Sequence, residues 1–101
     1  MSAVMRAAAC VLATAVSLVV ACKSKATATQ CDQLIDHYAE LVVMEKFPDA
    51  SADLVRAERE RERREARGDD AFKNCSSEVS QTEFACAMRA ASADALEKCL
   101  E

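Results

Sequence analysis

Glycine, proline and tryptophan are nearly missing from this chain, which contains one glycine, one proline and no tryptophan in 101 residues. A single glycine excludes the glycine-rich loops that cradle phosphate groups, because those loops need several closely spaced glycines. The scarcity of turn-forming residues also argues against a β fold with many tight turns. Alanine, glutamate and arginine are abundant instead, and all three favour helices.

The chain also lacks an excess of positive charge. It has 13 basic side chains, 17 acidic side chains and one histidine, which gives a formal net charge of −4 at pH 7. Nucleic acids attract proteins through clustered Lys and Arg residues. We therefore expect no nucleic-acid partner.

The N-terminal segment has the layout of a secretory signal peptide. Arg6 is its only charged residue, and residues 7–21 are uncharged and rich in alanine and valine. A basic start, an apolar core of roughly 7–15 residues and a small residue before the cleavage site define such peptides. A retained transmembrane helix, which needs roughly 20 predominantly apolar residues, is the less favoured alternative.

The end of this segment, Val19-Val20-Ala21-Cys22, resembles the bacterial lipobox, in which branched or small residues precede a cysteine. The resemblance implies cleavage between Ala21 and Cys22, a thioether-linked diacylglycerol on Cys22 and, usually, acylation of the new amino terminus. Lys23 rather than aspartate follows the cysteine, which by resemblance to Gram-negative sorting favours the outer membrane over the inner membrane. The alternative, a disulfide role for Cys22, would leave an odd number of cysteines in the processed chain.

The sequence thus divides into a lipoprotein signal peptide (1–21), a polar tether (22–30) and a helical domain (31–101). Cleavage after Ala21 leaves 80 residues, with 12 of the 13 basic and all 17 acidic side chains. A hydrophobic core alone is marginal at this size, and covalent staples are common. The membrane is an expected partner through the lipid anchor, since each buried CH₂ contributes about 0.8 kcal/mol.

Four cysteines follow the lipobox, and in an exported domain they predict two disulfides. Cys86 and Cys99 lie six residues before and seven residues after Ser92. If the chain turns at Ser92 as a helical hairpin, these two cysteines face each other, which leaves Cys31 to pair with Cys75. A turn between Cys75 and Cys86 allows the alternative of Cys75–Cys86 with Cys31–Cys99.

The apolar periodicity predicts an all-α fold, a small disulfide-stapled bundle of about four helices after an N-terminal signal helix. The first helix is predicted over residues 29–46, and Pro48 marks the break that follows. Ser51 is the predicted N-cap of the second helix. Ten of the twelve residues from Arg56 to Arg67 are charged, which predicts a solvated helix with almost no buried face.

The remaining helices have clear start signals. Gly68 is predicted to end or kink the charged helix, and a helical stripe resumes up to about residue 78. Residues 80–83 read Ser-Gln-Thr-Glu and match the capping box. Apolar residues then recur at helical spacing up to residue 91. Ser92 is the predicted cap of the last helix.

Residues 84–91 (FACAMRAA) and 96–100 (LEKCL) resemble small four-cysteine helical lipoproteins of myxobacteria and their relatives. Such proteins close with a Cys-x-x-x-Ala and Leu-x-x-Cys pattern, and the resemblance spans residues 31–99. It implies a helical fold and a bacterial envelope setting. It implies no catalytic activity.

No arrangement of catalytic residues is evident, and we expect no enzymatic activity. The four downstream cysteines are separated by 44, 11 and 13 residues, whereas zinc and thiol-redox sites use closely spaced pairs. Neither a metal nor another cofactor is therefore expected. His37, the only histidine, is predicted to be half-buried at the edge of the apolar stripe of the first helix.

Three functional hypotheses follow. The favoured one is a non-catalytic envelope lipoprotein that acts as an interaction or structural module for another envelope component. The alternative is a small carrier or sensor of a hydrophobic ligand, with a cavity lined by Phe47, Phe72, Phe84 and Met88, although these residues are also the expected core. In the third, the charged helix of residues 56–67 is a rod that binds another envelope protein.

Overall fold

A computed structural model describes residues 24–101, which form an all-α domain. The helices are α1 (Ala28–Lys46), α2 (Ala52–Arg67), α3 (Cys75–Glu78), α4 (Gln81–Met88) and α5 (Ala93–Cys99). The predicted fold class is confirmed, and residues 24–101 contain five helices against the prediction of about four. The predicted signal peptide, including its signal helix, and the lipobox cysteine Cys22 lie outside the described residues.

The first two helices form an antiparallel hairpin. α1 begins within one residue of its predicted start, because Thr27 and Gln30 form a capping box: the Gln30 N–H donates to the Thr27 hydroxyl at 3.1 Å. The helix ends before Pro48, as predicted. Ser51 caps α2 by accepting a hydrogen bond from the Leu54 N–H at 3.3 Å, which confirms its predicted role.

The predicted polar tether extends too far into the domain. Lys25, within the predicted tether, forms an isolated antiparallel β-bridge with Ser80. Ala26 is buried, with 4% of its surface exposed. Composition misplaces the boundary because Thr27 and Gln30 are polar yet serve as helix caps, and alanine is small enough to pack in the core.

The charged helix is not solvated on all sides, which corrects the sequence prediction. α2 packs along α1, and its Glu62 and Ala66 are 7% and 3% exposed. Lys46 on α1 lies 3.4 Å from Glu62. The hydrophobic pattern misses this face because most of the contacting side chains are charged and are neutralised by partners on α1.

The C-terminal part consists of three short helices with local start signals. Gly68 ends α2, and helix resumes only at Cys75, as the single turn α3. Ser80 and Glu83 form the predicted capping box of α4, and Ser92 caps α5. α4 ends at Met88, three residues before the predicted end, because the chain must turn before the cap of α5.

The core lies where α1 meets α3, α4 and α5. Leu34 and Leu96 are fully buried, and Phe72 is 2% exposed. Cys31 is bonded to Cys75, which joins α1 to α3, and Cys86 is bonded to Cys99, which joins α4 to α5. This is the pairing that the sequence favours. The corresponding Cα–Cα distances are 5.9 and 5.7 Å.

Candidate functional site

A ladder of opposite charges runs along the facing sides of α1 and α2. Three acidic residues on α1 and three arginines on α2 recur at four-residue steps, and four residues are about one helical turn. In antiparallel helices the two series match rung by rung. The rungs of this charge ladder are Asp32 with Arg67, Asp36 with Arg63, and Glu40 with Arg59.

The first two rungs are closed by ion pairs. Nη1 of Arg67 lies 3.3 Å from Oδ1 of Asp32, and Nε of Arg63 lies 2.8 Å from Oδ1 of Asp36. Arg63 also donates from Nη1 to Oε2 of Glu60 at 2.8 Å. Both rungs are consistent with the antiparallel register of the hairpin.

The Asp36–Arg63 rung is an ion pair without an aligned hydrogen bond. Nε of Arg63 is buried, and it makes no hydrogen bond to a described residue although Oδ1 of Asp36 is 2.8 Å away. The N–H therefore does not point at that oxygen. The attraction at this rung is coulombic, with little directional constraint.

The third rung is open. Neither Glu40 nor Arg59 forms an ion pair or side-chain hydrogen bond with any residue in the described part of the chain, although their positions match. Both side chains line a groove of about 570 Å³ between α1, α2 and the end of α4. We call this the mixed-charge groove. Its lining residues are Gln33, Asp36, His37, Glu40, Arg59, Arg63 and Met88.

His37 links one wall of the mixed-charge groove to the turn after α4. Its Nε2 lies 3.0 Å from the carbonyl oxygen of Ala90. Because a carbonyl only accepts hydrogen bonds, Nε2 carries the proton. His37 is half-buried, as predicted, and its contact with Ala90 gives it a role in positioning the end of α4.

A smaller groove of about 260 Å³ borders the Cys31–Cys75 disulfide. Its charged lining residues are already paired: Arg67 with Asp32, and Lys73 with Asp70 at 2.8 Å. The mixed-charge groove therefore offers the better binding site, since it presents a cation and an anion that have no ionic partner among residues 24–101.

Tyr38 lies on the core side of α1, away from the open rung. Its ring packs against Phe72, with ring centroids 4.8 Å apart. Burial, together with the nearby negative charge of Glu97, raises the pKa of Tyr38 to about 12. Tyr38 is thus a partly buried residue packed against the core.

The residues proposed to line an apolar cavity do not come together around either groove. Phe72 is in the core and also borders the smaller groove, Phe84 packs against the core from outside, and Met88 borders the mixed-charge groove. Phe47 caps the end of α1. These positions are those of ordinary packing residues.

Three further findings apply to residues 24–101. No group of three or more His, Cys, Asp or Glu side chains in residues 24–101 is arranged to hold a metal ion. The four cysteines in this range are all in disulfides. Over the same range, every helix is too short or too polar to cross a membrane.

Sequence reasoning missed Glu40 and Arg59, although the signal was present. Acidic residues at 32, 36 and 40 and arginines at 59, 63 and 67 share one spacing, and a hairpin turn near Pro48 aligns the two series. The sequence-based prediction considered the charged helix by itself, as a solvated helix. Comparison of the two helices with each other would have found the ladder.

No protein-family model matches the sequence, and neither a curated protein nor a solved structure shows significant similarity to it.

Proposed function

We propose that this protein is a non-catalytic lipoprotein of the cell envelope whose mixed-charge groove binds another envelope protein. The observation that carries the binding role is the open third rung. Arg59 and Glu40 line the same groove, and neither has an ionic partner among the described residues. A partner segment with one acidic and one basic side chain at matching spacing would close both interactions.

The chemistry of the groove sets the character of this binding. Arginine binds a carboxylate through two parallel hydrogen bonds, which fixes the orientation of the partner. An exposed ion pair contributes only about 0.2–1 kcal/mol, so the interaction is expected to be weak, reversible and sensitive to salt. Such properties suit a module that recognises a protein surface.

Crosslinking in the native envelope tests the binding role. A photo-crosslinking amino acid at Gln33, which lines the groove, is expected to yield a discrete protein adduct. Arg59→Glu should abolish the adduct, because it places a second negative charge beside Glu40. The matched control is Arg64→Glu, on an exposed arginine of α2 outside the groove. Equal adduct yields with both variants would refute the proposed site.

The lipoprotein assignment is tested separately. Cys22→Ala, or inhibition of the lipoprotein signal peptidase by globomycin, is expected to change processing, and Cys22→Ala should release the protein from the membrane fraction. Density-gradient separation of membranes should then place the wild-type protein in the outer membrane, as the lysine after Cys22 suggests. A protein that is soluble in both wild-type and variant form would contradict the assignment.

A further inference from the structure

Residues 24–26 belong to the folded domain. The backbone N–H of Gln81 donates to the carbonyl of Ser24 at 3.0 Å, and the N–H of Ala26 donates to the carbonyl of Val79 at 2.8 Å. The side-chain amide of Gln81 donates to the carbonyl of Lys25 at 2.9 Å. We call this corner, residues 24–26 with residues 79–81, the base of the domain.

One residue, Lys23, separates the base from Cys22. Since consecutive Cα atoms are about 3.8 Å apart, the Cα of Cys22 can lie no more than about 8 Å from that of Ser24. The nine-residue tether predicted from composition would have allowed about 30 Å. A lipid on Cys22 would therefore hold the base at the surface of the bilayer.

The α1–α2 hairpin leads away from the base. α1 begins at Ala28, beside the base, and its 19 residues span about 28 Å. The chain turns at residues 47–51, and α2 returns until Arg67 meets Asp32. We call residues 47–54 the tip of the hairpin. The tip is thus about one helix length from the base.

The two ends differ in chemistry. Exposed residues near the base include hydroxyl donors and one lysine, which suit the phosphate oxygens of lipid headgroups, together with one acidic residue. Those residues are Lys25, Thr27, Ser76, Thr82 and the acidic Glu78. The tip instead exposes two acidic residues, Asp49 and Asp53, and Asp53 is paired with Arg56 at 2.8 Å. The charge of Asp49 is the one that anionic headgroups would repel.

We propose that the lipidated protein stands on the bilayer with its base against the lipid headgroups and the tip of the hairpin directed away from the membrane. This inference rests on the lipidation of Cys22 proposed above. It adds an interaction surface, the base, and its partner, the headgroup layer. It also means that a protein partner reaches the mixed-charge groove from the side of an upright hairpin.

Photo-crosslinking to lipid in native membranes tests the orientation. A diazirine amino acid is placed in the full-length protein either at Thr82, near the base, or at Asp49, at the tip. Both positions are exposed and make no side-chain hydrogen bond to a described residue. We expect phospholipid adducts at Thr82 and none above background at Asp49. A ten-residue Gly/Ser insertion between Lys23 and Ser24 should reduce the adducts at Thr82.

The outcomes separate the orientation from the anchor. A membrane-bound protein with equal lipid adducts at Thr82 and Asp49 would overturn the orientation and leave the lipoprotein assignment intact. Adducts at Thr82 that are unaffected by the insertion would overturn the argument from tether length. A wild-type protein missing from the membrane fraction would overturn both the anchor and this inference.

Discussion

The two halves of this domain are stabilised by different kinds of interaction. In the stapled half, α3, α4 and α5 pack along α1 around apolar side chains, and both disulfides lie there. In the hairpin half, α2 lies on α1 through ion pairs, together with small buried residues such as Val43 on α1 and Ala66 on α2. Stability is therefore expected to be concentrated in the stapled half, and the capacity for binding in the hairpin half.

Loss of the Cys31–Cys75 disulfide should have the largest effect. This bond closes a loop with a sequence separation of 44, and the chain-entropy model assigns it about 4 kcal/mol. Cys31→Ala with Cys75→Ala should lower the free energy of unfolding, measured in urea, by about that amount. Cys86→Ala with Cys99→Ala, which opens a loop with a separation of 13, should cost about 3 kcal/mol. The reverse order would contradict the loop-entropy account.

Truncation of a core leucine should have the next largest effect on the free energy of unfolding. Leu34 is fully buried, and Leu34→Ala should lower the free energy of unfolding by about 3 kcal/mol through lost burial and a residual cavity. The same substitution at Leu54, which is 43% exposed at the start of α2, should change it by less than about 0.5 kcal/mol. Similar losses at both positions would contradict the expectation that the cost follows the burial of the leucine.

Raising the salt concentration should affect the two halves of the wild-type protein differently. Raising ionic strength from 0.1 to 1 M shortens the screening length from about 10 to about 3 Å, which weakens exposed ion pairs. Amide hydrogen exchange in α2 should then accelerate severalfold, while exchange in α4 and α5 changes little. Asp36→Asn, which removes the anion of a closed rung, should reduce the salt response of α2. An equal acceleration of amide hydrogen exchange in all helices would contradict the proposed difference between the stapled half and the hairpin half.

The smallest predicted effect is a loss of stability that occurs only at alkaline pH. The pKa of Tyr38 is about 12 in the folded protein against 10.0 for the free side chain, so the folded state retains the proton longer. Its contribution to stability is complete below about pH 10 and is lost as pH rises towards about 12. Tyr38 is the only tyrosine, so tyrosinate absorbance reports its titration directly.

The matched variant for this prediction is Tyr38→Phe. Its stability should fall less steeply between pH 10 and pH 12 than that of the wild type, because no phenol remains to ionise. A tyrosinate titration centred near pH 10 in the folded protein would show that Tyr38 is not held neutral by its surroundings.

Local features of the fold could be predicted from the sequence, and long-range features only in part. Ser51, Ser80 and Ser92 were identified as caps because a cap depends on residues three positions away. The favoured disulfide pairing followed from the position of one turn. The bridge between Lys25 and Ser80 could not be predicted, since nothing near Lys25 indicates a partner 55 positions away.

The candidate site illustrates the same limit. Arg59 and Glu40 are ordinary charged residues within their own helices. Their matching positions can be recognised only when the register of α1 against α2 is known. The buried face of α2 could not be predicted from hydrophobic periodicity either, because it includes the charged Glu62 and the small Ala66.

The position of the Cys31–Cys75 disulfide also determines what proteolysis can do. α2 lies wholly between these two cysteines, and its arginines are cleavage sites for trypsin-like enzymes. A single cut in α2 divides the polypeptide into two fragments, yet the disulfide keeps them joined. The C-terminal fragment, including α3, α4 and α5, therefore stays attached to whatever holds the N-terminal fragment. Release requires reduction of the disulfide as well as the cut.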